Sequence, residues 1–194
     1  MIKNKVELNE YMEADKIVHL SGKEDTFFLY FGLSRRFYRA LRRCEYYSNC
    51  GKGIVSRILC LYWKMVYRRI GRKMGWDIPI NTLGKGTRIM HPGTVVVNGN
   101  ARIGDYCKIH VCVNIGASKG NKKAPIIGNS VYIGPGAKIF GDIIIADNVA
   151  IGANAVVNHS FTEPSVTIAG IPAKEISKKG YHYIPEENVE IWEM

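Results

Sequence analysis

The side chains best suited to chemistry gather around a break in an otherwise regular pattern. In Ile89 to Gly104, IMHPGTVVVNGNARIG, His91 stands among aliphatic and small residues, and His110 follows nineteen residues later in CKIHVCVNIG. A neutral imidazole, with an unperturbed pKa of about 6.5, can take a proton from a hydroxyl near neutral pH, and such a base is worth about 10² to 10⁴ in rate. A lone histidine is ordinarily a satisfied turn residue, and His91 is singled out by its position at the break. Cys112 has no basic neighbour in sequence and is read as a small core residue rather than a nucleophile. The five cysteines are odd in number and form no C-x-x-C pair, so neither a disulfide framework nor a metal cluster is expected.

The pattern that His91 interrupts has a period of six. Val97, Ile103, Ile109, Ile115, Ile127, Ile133, Ile139, Ile145, Ile151 and Val157 are all Ile or Val, and Gly follows directly at 104, 116, 128, 134 and 152. Six is not a helical period, and the runs are too short for hairpins. The spacing predicts a parallel β-helix of about eighteen residues per coil, with Ile stacked inside and small residues at the corners, over roughly five coils from Leu83 to Ala169. Two breaks interrupt it: HPGTVVVNG, where the spacing slips by two, and ASKGNKKAPI (Ala117 to Ile126), which is expected to loop outward.

Ahead of the repeat the apolar residues recur at helical spacing. One helix is expected around Ser34 to Ser48 and another from Gly53, with Ile54, Ile58, Leu61, Met65 and Ile70 near one face. Between Arg35 and Lys73 twelve Lys or Arg face one acid, Glu45, so this segment carries +11 against +10 for the whole chain of 194 residues. Such a surface is either a solvated helix face or a contact for anionic membrane or an acidic glycan. No recognition motif accompanies the charge, so nucleic acid is not expected. The organisation expected is a helical region over 1–76, a β-helix over 77–174 and a C-terminal tail over 175–194, mainly β overall. The N-terminal residues lack the apolar core of a leader, and TFFLYFGL is too short to span a bilayer, so the expected location is cytoplasmic, with peripheral contact at the inner membrane face as an option.

From Ile78 to Ile176 the chain resembles the hexapeptide acyltransferases of the serine acetyltransferase-like branch, through GKGTRIMHPGTVVVNGNARIG, IGPGAKIFGDI, IGANAVV and TIAGIPAK. The resemblance implies a left-handed parallel β-helix, a homotrimer with active sites between subunits, and acetyl-CoA as co-substrate without a metal. His91 matches the family's catalytic base. The acid preceding that base is replaced by Met90; the second acid falls on Trp76, with Asp77 one place away as the group that would orient the imidazole. The serine-gripping Arg-His pair falls on Lys123 and Ala124. By the same resemblance Gly116, Ala117, Pro135 and Ala153 line the slot for the pantetheine arm and Lys174 meets the nucleotide phosphate. The chemistry of attack on a thioester further calls for oxyanion stabilisation, which backbone N–H groups at the coil edge near Gly116 would supply. His110 and Lys123 are the candidates for acceptor binding.

The branch it most resembles overall acetylates sugar hydroxyls in capsular or surface polysaccharide assembly, and that is the expected activity. The alternatives are a serine O-acetyltransferase of cysteine synthesis and, from another class, a non-catalytic β-helix scaffold docking to membrane or partner. A γ-carbonic anhydrase would need three histidine ligands, and His91, His110 and His159 lack their spacing.

Overall fold

A six-residue apolar period closes a chain into a three-sided spiral because two residues make each short face and the remainder turn the corner. The computed structural model describes residues 1–20, 28–118, 120, 122–184 and 189–192. It opens with three helices, α1 (Lys5–Leu20), α2 (Phe28–Asn49) and α3 (Gly53–Met74). The spiral then begins with β1 (Trp76–Asp77), β2 (Arg88–Ile89), β3 (Val95–Val97), β4 (Arg102–Ile103), β5 (Lys108–Ile109) and β6 (Val113–Gly116). It continues through β7 (Ile126–Ile127), β8 (Tyr132–Ile133), β9 (Lys138–Phe140), β10 (Ile144–Ile145), β11 (Ala150–Ile151), β12 (Val156–Val157) and β13 (Thr167–Gly170). The strands sort into three parallel faces: β1-β3-β6-β9-β12, β4-β7-β10, and β2-β5-β8-β11-β13. This is the parallel β-helix expected from the repeat, with the left hand that the resemblance implies.

The register shows what the six-residue period does. Ile89, Ile109, Ile133, Ile151 and Ile168 pair in turn along one face, and Val97, Ile115, Ile139 and Val157 along another, all buried. At about 25 cal/mol per Å² of apolar surface this column is the main source of cohesion in the spiral. Where glycine follows the isoleucine, successive coils can touch: a Cβ added to Gly104 would lie 2.5 Å from the carbonyl oxygen of Gly128 above it. Paired residues are eighteen apart from Ile133 to Ile151 but twenty-four apart from Ile109 to Ile133, and the extra six form the outward loop around Lys123.

The end of the spiral is closed by the GIPAK segment. β14 (Ala173–Ser177) turns back antiparallel on β13, pairing Lys174 with Ala169, and a hairpin of β15 (Tyr181–Ile184) and β16 (Val189–Trp192) follows. At the other end the helices are fastened by a fully buried Arg42. Its Nε donates to Asp15 (2.8 Å), Nη1 to Glu45 (3.1 Å) and to the carbonyl of Leu83 (2.8 Å), and Nη2 to the carbonyl of Gly84 (2.7 Å). Asp15 also accepts from the Gly86 N–H and Glu45 from the Asn81 N–H, so two carboxylates and one guanidinium stitch α1, α2 and the first coil together. One of the basic residues read from sequence as surface charge is therefore an internal fastener.

Two further readings are corrected. The Ile54, Ile58, Leu61 and Met65 face of α3 is exposed; only Ile70 of that set is buried, and the core side of the helix is formed by Tyr67, Ile70, Gly71 and Met74. Cys112 is exposed at a corner with φ +60°, level with Gly136 and Asn154 at the same turn of later coils, rather than inside the column. A corner needs a left-handed residue more than it needs an apolar one.

Candidate active site

His91, separated from the end of β2 only by Met90, starts the bend that carries the chain to β3; it is exposed. The bend fits closely against the end of α3. Gly93 N–H donates to the carbonyl of Met74 (2.8 Å) and Val95 N–H to that of Gly75 (3.0 Å). Both glycines are required there: Gly75 ends α3 at φ +79° and a Cβ on it would meet the Gly93 carbonyl at 2.9 Å, while Gly93 lies at φ +145° with Val111 beneath it. The two extra residues at this corner thus lift an imidazole outward on a bend braced by a helix end.

The structure brings His110 to it. The two imidazole centroids are 6.2 Å apart, and the His110 ring lies 5.0 Å from that of Tyr132, which is in turn 5.6 Å from Tyr181. A ladder of rings thus climbs one edge of the β2-β5-β8 face, with Lys108 Nζ 5.9 Å from the Tyr132 ring. Sequence reasoning missed Tyr132 and Tyr181, which have no motif; the signal available was that Tyr132 occupies the outward position next to a buried isoleucine.

The other predicted residues fall into two groups. Counting two residues on from the paired isoleucines puts His91, Val111, Pro135 and Ala153 at one corner, with Asn154 N–H donating to the Pro135 carbonyl at 2.8 Å. Pro135 and Ala153 are exposed there, and exposed Lys174 lies in β14 at the end of that corner. Gly116 and Ala117 lie at the opposite end of β6, where Gly116 pairs with Phe140 and a Cβ on it would meet only Asn114 Oδ1, at 3.3 Å. The four residues of β6 at ~3.3 Å each put the two groups about 13 Å apart across one face.

Asp77 is exposed in β1, in register with Val96, and lines a groove of about 820 Å³ together with Trp76 and the α3 side chains Lys64, Arg68, Arg69 and Arg72. Lys123, on the outward loop, donates to Asp142 at 2.7 Å; that bond raises its pKa, and both side chains are exposed. Ala124 beside it is buried. Among the described residues no group of three His, Cys, Asp or Glu side chains is close enough to hold a metal ion.

Residues 124–159 match the family of bacterial transferase hexapeptide repeats (six repeats). Over 105 residues the chain is 38% identical to a serine acetyltransferase of Synechococcus elongatus, an alignment covering 53% of this chain and 43% of that protein. The chain spans about half the length of the curated relatives it matches. Among solved structures, the serine acetyltransferase of Neisseria gonorrhoeae superposes with a TM-score of 0.66 at 27% identity, covering 94% of this chain and 69% of that one. A serine acetyltransferase from Brucella abortus in complex with coenzyme A superposes with a TM-score of 0.69 at 24% identity, covering 91% and 70%. That likeness extends through the helices as well as the spiral.

Proposed function

We propose that this chain is an acetyl-CoA-dependent O-acetyltransferase in which His91 is the general base. The observation that carries the reading is an exposed imidazole, held on a braced bend, at the same corner as the small exposed residues Pro135 and Ala153. An acceptor hydroxyl gives its proton to His91 as its oxygen attacks the thioester carbonyl. The tetrahedral oxyanion is held by backbone N–H groups, and collapse expels the thiolate of coenzyme A, which takes the proton back from the imidazolium. Pro135, Ala153, Gly116 and Ala117 offer little side chain to obstruct a pantetheine arm, and Lys174 supplies a cation for its nucleotide phosphate. His110, within ring contact of His91, forms a polar wall for the acceptor. Asp77 is assigned to orient the imidazole.

The two groups of slot residues lie on opposite edges of one face, about 13 Å apart by strand length. A second copy, packed edge to edge, would bring its Gly116 edge against the His91 corner, which supports a homotrimer with sites at the seams.

The acceptor favoured by the relatives is serine, since those aligned are named serine acetyltransferases. One observation counts against free serine and keeps a sugar hydroxyl as the second reading: Lys123 and Ala124 stand where the serine-gripping pair is expected, with Lys123 held by Asp142 and Ala124 buried. The test is transfer from labelled acetyl-CoA to free serine and to a panel of free and nucleotide-linked sugars, with wild type beside His91→Ala. Transfer that His91→Ala abolishes supports the mechanism, and the acceptor that carries the label decides between the two readings. Equal transfer by both proteins would remove His91 from the reaction.

A further inference from the structure

We propose that α3 docks this protein on the surface of a bilayer containing anionic lipid. The proposal goes beyond acetyl transfer and does not depend on it. Ile54, Ile58, Leu61 and Met65 follow one another at intervals of four, three and four residues, so they form one line along the helix, with Val55 and Tyr62 beside it. All six are 50–68% exposed, which is unusual for large apolar side chains set in a row. Arg57, Lys64 and Arg68 flank the line on one side and Arg69 and Lys73 on the other, while Arg72 extends it toward the helix end. No Asp or Glu occurs from Gly53 to Met74.

An apolar stripe edged by cations is the pattern of a helix that lies in the interface, its apolar face among the acyl chains and its cations among lipid phosphates. Charge decides the occupant. A second copy of this face would bring like-charged flanks together, whereas an anionic bilayer supplies both the apolar layer and the opposite charge. The nearby acids do not neutralise the stripe: Asp15 and Glu45 are buried on Arg42, and Asp77, the one acid lining the groove beside the stripe, faces four cations there, Lys64, Arg68, Arg69 and Arg72. The groove beside the stripe shares Met65 with it and is walled by Lys64, Arg68, Arg69 and Arg72, so a lipid phosphate entering there would meet cations. The contact is a peripheral one: among the described residues no helix is long and apolar enough to cross a membrane.

The test is sedimentation of the full chain with vesicles of phosphatidylcholine alone and of equimolar phosphatidylcholine and phosphatidylglycerol, at low and high salt, with light scattering on the protein by itself. Binding is expected to the anionic vesicles, to weaken with salt, and to be at least tenfold poorer on phosphatidylcholine, each cation near the surface being worth about fivefold. Ile58→Glu with Leu61→Glu, and separately Arg68→Glu with Arg69→Glu, are each expected to reduce binding more than tenfold while circular dichroism stays that of wild type. These positions are exposed, so the folded state survives the change. Binding unaffected by both pairs, or indifferent to lipid charge, overturns the proposal. So does a wild type that ignores anionic vesicles but self-associates through this face, as shown by loss of mass in the Ile58→Glu, Leu61→Glu protein.

Discussion

The spiral and α3 both carry a regular apolar line, and they use it in opposite ways. In the spiral the line of Ile115, Ile139 and Val157 runs up the inside and is buried. In α3 the line of Ile54, Ile58, Leu61 and Met65 is turned to solvent, and the buried side is a different set, Tyr67, Ile70 and Met74. A period establishes that one side of an element is apolar; whether that side is covered depends on what lies next to it. The spiral covers its own line because each coil is roofed by the next. A helix cannot roof itself, so α3 needs a partner, and α2 takes only one of its sides.

The difference can be broken or sharpened by substitution. The largest effect is expected at the corner of the spiral: His91→Ala should lower kcat/KM by about 10² to 10⁴ while leaving the thermal midpoint nearly unchanged, because the side chain is exposed and outside the column. Calorimetry beside steady-state kinetics checks both halves of that statement. Next comes the joint between the two regions. Arg42→Met leaves Asp15 and Glu45 buried without their cation and should cost about 3–5 kcal/mol in urea unfolding. Within the column Ile139→Ala should cost about 2–5 kcal/mol, since the coils above and below limit collapse into the void.

A smaller effect is expected from alkali. Burial pushes the Cys107 thiol up to about 12 from a usual 9.0. With the folded pKa above the unfolded one, the contribution of that thiol is complete below about pH 9 and is lost as pH rises toward 12. The slope is about 1.4 kcal/mol per unit at most, and Cys107→Ala should flatten it in pH-dependent unfolding. The same contrast should appear in alkylation, with exposed Cys112 modified in the native state and Cys107 only on unfolding. Smallest of all is the change on the open stripe. Ile58→Ala should alter stability by no more than about 0.5 kcal/mol, and a larger loss would mean that something covers α3.

Much of this was legible because the β-helix obeys a local rule. Each of Val97, Ile103, Ile109 and their successors occupies the same place in its own coil, so a residue's address follows from counting, and the slip of two at HPG marks the corner from which His91 projects. Pro135 and Ala153 were singled out by the resemblance, and the register of the paired isoleucines puts them at the same corner as His91. Reading Cys112 as core failed because the corner position there takes a left-handed residue, which apolarity does not reveal. Arg42 was read with the surface charge because, apart from Glu45 one turn along α2, its partners lie twenty-seven residues before it and forty-one or more after it, and no period connects those to it.

The sequence by itself determined the three-sided spiral, its six-residue step, the two interruptions and the exposed imidazole at the first of them, because all of these follow from contacts one coil apart. Only the tertiary structure decided that Arg42 is a buried clasp, that Tyr181 of β15 joins the rings of His110 and Tyr132, that Asp77 belongs to a basic groove beside α3, and that the apolar stripe of α3 is uncovered. Each of those depends on which distant surfaces meet, and burial, unlike periodicity, is a property of the pair and not of the element.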